Sequence, residues 1–121
     1  MTRAGLLQDY LRDILDAMDK AQSFVSGMSF QEFCRDDRTV FAVIRALEII
    51  GEAAKKVPAP CRRRYAAIPW KSLAGMRDKL IHDYVGVSLE VVWRTVCDDI
   101  PAVKPKLHLM LEEILGQERG N

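Results

Sequence analysis

Only two histidines, His82 and His108, occur among the 121 residues. Side-chain proton transfer near neutral pH therefore has few places to happen. Cysteine is scarce too. Cys34, Cys61 and Cys97 are odd in number and widely spaced, with no Cys-x-x-Cys or Cys/His zinc spacing. That pattern speaks against a disulfide framework and a zinc finger, and for reduced thiols. Neither sign of charge is in excess. Eighteen basic residues against 17 acidic ones leave a net charge of +1, which excludes a broad electropositive coat but not a small local site for RNA. No apolar signal segment opens the chain, so a cytoplasmic location is expected. The most apolar stretch, Val40 to Ile50, is broken by Arg45 and Glu48 and is too short to span a bilayer. Repeats and low-complexity segments are absent, and the whole chain, 1–121, is expected to form one domain.

Strand signals are nearly missing as well, and helical spacing fills the space. Leu7, Leu11, Ile14, Met18, Ala21 and Val25 recur three or four apart, predicting an amphipathic helix over 4–26 that Gly27 stops. Ser-Phe-Gln-Glu from Ser29 is a capping box opening a short helical turn. Asp36 or Asp37 caps the next helix, 38–57, whose apolar face is Val40, Val43, Ile44, Leu47, Ile50 and Ala54. Phe41, Ala42, Ile49 and Ala53 add apolar surface elsewhere on it, so more than one neighbour must cover it. Pro58 and Pro60 end it. A basic, irregular or briefly helical segment follows from Cys61 to Tyr65. Pro69-Trp70 starts a helix over 70–83, and Gly86 breaks the chain. Ser88 caps a further helix that Pro101 should kink or split, the last piece ending near Leu115 before Gly116. The sum is all-α, an antiparallel bundle of four to five helices.

The helix over 70–83 carries the densest chemistry. Arg77 to Tyr84 reads Arg-Asp-Lys-Leu-Ile-His-Asp-Tyr: a permanent cation, an imidazole and a phenol within eight positions. The imidazole can trade protons near pH 7 and the guanidinium suits a phosphate-bearing substrate. At about 100° per residue, Arg77 and Tyr84 fall nearly on one line, whereas His82 lies about 140° around from Arg77. A continuous helix does not aim all three at one point. Either the helix unwinds near His82, as Val85-Gly86 suggests, or a second copy completes the site, with Gly75 letting another backbone come close. The bland alternative has Arg77 paired with an acid, His82 capping a helix end and Tyr84 half-buried.

Five further stretches accompany this motif. They are Asp9 to Leu15, Gly27 to Phe33, Arg45 to Ala54, Ile68-Pro69-Trp70 and Ala74 to Arg77. Together with Arg-x4-His-x-Tyr, they resemble the HepT-type toxins of the HEPN superfamily over nearly the whole length. These are small helical proteins paired with minimal nucleotidyltransferase (MntA-type) antitoxins in type VII toxin–antitoxin modules. The resemblance implies a HEPN-like bundle, a homodimer with two motifs facing across a cleft, and a metal-independent endoribonuclease acting on mRNA or tRNA. It implies Arg77 and His82 as the catalytic pair. It implies Asp78 in the polar position after the arginine, where asparagine is commoner. It also implies Tyr84 as the tyrosine that the partner modifies with AMP, silencing the toxin. No cofactor of its own is expected; ATP is the partner's AMP donor.

Glu48 and Glu52 form a surface ladder, Glu52 also facing Lys56, or, following the resemblance, line the cleft and orient Arg77. Arg62, Arg63 and Arg64 are a solvated face or a contact for RNA or a partner. His108 is expected as a core histidine at a polar edge, and Trp70 and Trp93 as core anchors. A different functional class fits the same residues: a noncatalytic helical adaptor or nucleotide-binding partner of a nucleotidyltransferase.

Overall fold

The structure, a computed structural model, describes residues 3–82 and 88–119, with side chains at 5–76 and 88–117. All regular structure among the described residues is helical. Four long helices, α1 (Arg3–Val25), α3 (Asp37–Lys56), α5 (Trp70–His82) and α7 (Ile100–Arg119), are joined by three short ones, α2 (Phe30–Arg35), α4 (Ala59–Arg64) and α6 (Leu89–Arg94). No helix among them is long and apolar enough to cross a membrane.

The short-range signals explain most boundaries. Gly27, at φ +77°, takes the left-handed geometry that ends α1. At α2 the Ser29 N–H donates to Glu32 Oε1 at 3.0 Å, and the Glu32 N–H donates to Ser29 Oγ at 3.1 Å. The first of these bonds holds the Glu32 carboxyl below its usual range. Asp36, not Asp37, caps α3, accepting the Thr39 N–H at 3.1 Å. Ser88 caps α6 through the Val91 N–H.

Two boundaries differ from expectation. The split near Pro101 falls earlier, at a wide π-helical turn over Thr95–Asp99, where the Ile100 N–H reaches back five residues to the Thr95 carbonyl. Pro101 then sits in the first turn of α7, directly after that wide turn. Gly116 does not stop α7, which runs on to Arg119. Without a left-handed φ, a glycine is simply a weak helix residue.

Leu11, Ile14, Met18 and Ala21 of α1 are fully buried, with Val43, Leu47, Ile50 and Ala54 of α3 beside them. Each larger one adds about 1.5–3 kcal/mol of burial. The second apolar flank of α3 has the consequence read from its sequence, since α1 and α5 both pack on it. Phe41, however, is left 62% exposed. Trp93 of α6 packs on Phe33 and Phe30 of α2, with ring centroids 5.3 and 6.0 Å apart, and Trp70 is buried. Both tryptophans are the anchors expected.

α7 packs back along α1. Lys104 near its start pairs with Asp19 and donates to Gln22 Oε1 at 2.8 Å, both near the end of α1, so the two helices are antiparallel. Farther along, Lys106 donates to the Ala67 carbonyl at 3.3 Å and Glu113 accepts from Tyr65 Oη at 2.8 Å. Those two bonds tie α7 to the segment that leads into α5.

Candidate active site

α5 is held by its first half. The Trp70 indole N–H donates to the Tyr65 carbonyl at 3.1 Å, and Leu73 is 1% exposed. Pro69 suits such a start, because its fixed φ and absent N–H fit a helix opening. The second half carries Arg77, Asp78 and His82 on a backbone that stays α-helical through His82. The backbone therefore does not unwind ahead of His82, and a break just after it falls outside the described residues. The backbone directs positions 77 and 82 about 140° apart. Tyr84, Val85 and Gly86 lie outside the described residues.

Glu48 and Glu52 lie on α3, the helix packed against α5, and both are half-buried. Glu48 accepts from Arg45 Nη1 at 3.3 Å, an ion pair within its own helix; the Arg77 side chain, which the cleft reading has these carboxylates orient, lies outside the described residues. Gly75 has open space where a side chain would be.

Elsewhere the structure sorts reactive groups from structural ones. His108 is not a core histidine; it is exposed. Val103, Leu107, Met110 and Ile114 take the inward stripe of α7, and one residue beyond Leu107 turns about 100° away from it. Cys34, Cys61 and Cys97 are free thiols. Lost hydration and then the Asp98 carboxylate push the Cys97 thiol up, the opposite of an activated nucleophile. Burial and the hydrogen bond to Glu113 likewise raise the Tyr65 phenol. No cluster of three or more His, Cys, Asp and Glu among the described residues is arranged to hold a metal ion.

Sequence reasoning missed Lys71. It shares a shallow surface groove with Arg62 and Arg63. Lys71 stands seven residues from Arg64 across a proline, so no helical spacing links it to the arginine run. Arg62 is also less solvated than its run implies, being half-buried with its Nε shielded from solvent.

A family model described as "Ribonuclease HepT-like" matches residues 14–110. A protein of Thermococcus cleftensis named "Probable ribonuclease HepT" is 50% identical over 99 residues, 82% of this chain and 90% of that one. One of Methanocaldococcus jannaschii, named "Putative RNase MJ1216", is 42% identical over 115 residues, 95% of each chain. One of Caldanaerobacter subterraneus subsp. tengcongensis, named "Putative RNase TTE0752", is 42% identical over 110 residues, 91% of this chain and 95% of that one. No solved structure matches. With one helix carrying Arg77 and His82 and a family match spanning most of the length, the chain belongs to the HepT-like family.

Proposed function

We propose that this protein is an endoribonuclease toxin that cuts RNA without a metal ion, using Arg77 and His82. The observation that carries the reading is the placement of both residues on the outer half of α5, a helix anchored by Trp70 and Leu73. The ribonuclease names of the relatives support the substrate class.

The chemistry needs three services. A base takes the proton from a ribose 2′-hydroxyl, so that this oxygen attacks the adjacent phosphorus. An acid gives a proton to the departing 5′-oxygen, leaving a 2′,3′-cyclic phosphate. A cation steadies the charge that builds on the phosphorane. His82 supplies proton transfer, and Arg77 can bridge two phosphate oxygens without ever losing its own charge. Because α5 turns the two positions apart, the working site is a composite of two chains, each giving one wall. A cognate nucleotidyltransferase silences the enzyme by attaching AMP to Tyr84, and the toxin acts in the cytoplasm.

Purified protein in a chelating buffer should cleave unstructured RNA. Arg77→Ala and His82→Ala should each lose about a hundredfold or more in rate, the range seen when a general acid–base group or a charge-stabilising donor is removed. Their circular dichroism and melting should match wild type. A folded His82→Ala protein with undiminished cleavage would exclude His82. Wild-type protein that binds RNA and never cuts it would point to the adaptor class instead.

A further inference from the structure

We propose that the groove between α4 and α5 binds the phosphate backbone of single-stranded RNA and leads it toward His82. This rests on the ribonuclease reading and adds a route by which the substrate reaches the site. The groove encloses about 760 Å³ and is walled by Arg62, Arg63 and Lys71, while Ala66, Ala74 and Gly75 keep its floor low. No carboxylate among the described residues lines it. None of its three cations has an acidic partner among the described residues, whereas Arg12, Lys20, Arg45, Arg94 and Lys104 each pair with one.

Two details give the patch an unmet donor and a direction. Arg62 Nε is the only buried side-chain nitrogen or oxygen among the described residues without a hydrogen-bond partner. A shielded donor without an acceptor is costly, and an entering phosphate oxygen would relieve that cost. Spacings of four, three and four residues also put positions 71, 75, 78 and 82 on one stripe of the continuous α5 backbone. From Lys71 the stripe reaches His82 in about 16 Å, eleven residues at helical rise. Added bulk at Gly75 would meet nothing among the described residues, so the stripe is open at that position. The two guanidiniums and the ammonium that wall the groove suit a polyanion of regular charge spacing and no required base sequence, and the one acidic position on the stripe beyond them is Asp78.

Binding is tested with a fluorescent 2′-O-methyl oligoribonucleotide, which lacks the attacking hydroxyl and so survives the assay. Titration across salt concentrations compares wild type with the Arg62→Gln/Arg63→Gln/Lys71→Gln protein. A control with the same charge loss elsewhere carries Lys20→Gln, Arg35→Gln and Arg38→Gln. The groove protein should bind on the order of tenfold more weakly or worse, and its salt slope should shrink by about 2, at roughly 0.7 for each phosphate no longer neutralised. The control should stay near wild type. Unchanged affinity and slope in the groove protein, an equal loss in the control, or no binding by wild type would each overturn the assignment. Should wild type bind through the groove and leave unmodified RNA uncut, the cleavage reading fails while the groove stands. Circular dichroism verifies that each variant is folded.

Discussion

Tyr84 carries the proposed silencing on one phenolic oxygen. That oxygen would attack the α-phosphorus of ATP and expel pyrophosphate, leaving an adenylate whose bulk and negative charge occupy the place of RNA phosphate. Incubation with the cognate transferase and ATP should add adenylate mass to the peptide containing Tyr84 and stop cleavage. Tyr84→Phe should go on cutting RNA under the same conditions. Label confined to other residues, or a silenced Tyr84→Phe protein, would sink the idea. At this scale the sequence was readable wherever a residue acts on near neighbours. Ser29, Asp36 and Ser88 each satisfy an N–H three positions on, so the chain alone identifies them. His108 and Arg62 were misjudged because their exposure depends on which stripe of a helix faces its neighbours, and that is decided by other helices.

Among the elements, α5 matters most, and its seat is apolar. Leu73 is buried in the core. Leu73→Ala should cost about 2–5 kcal/mol, the usual range for emptying a full core position, read as a lower denaturant midpoint at unchanged slope. A midpoint equal to wild type would mean that α5 is not fixed there. Helix existence and most ends were legible because apolar spacing and caps are local. The wide turn at Thr95–Asp99 was not. Pro101 announced a break but not its position, and Val92, Val96, Ile100 and Leu107 are all buried across it. Nor could spacing foresee Phe41, an apolar residue on a largely buried helix that remains open to solvent.

For the whole molecule, the angle between positions 77 and 82 matters more than either residue. If each site draws Arg77 from one chain and His82 from the other, two inactive proteins can repair each other. Refolding Arg77→Ala together with His82→Ala should return roughly a quarter of wild-type cleavage, since half of the two-fold dimers are mixed and each mixed dimer holds one intact site. No recovery, with mixed dimers verified by mass, would place both groups in one chain. The bundle itself was legible from periodicity; the proposed second chain was legible only as an angle that one helix could not close.

The bonds from α7 to the approach of α5 impose an order of events in time. Tyr65 and Ala67 are gripped by Glu113 and Lys106, which come much later in the chain. During synthesis the ribosome releases the residues of α5 well before their clamps exist. A nascent polypeptide therefore seats α5 on α3 alone at first, and the approach to α5 gains its two clamps only after α7 has emerged.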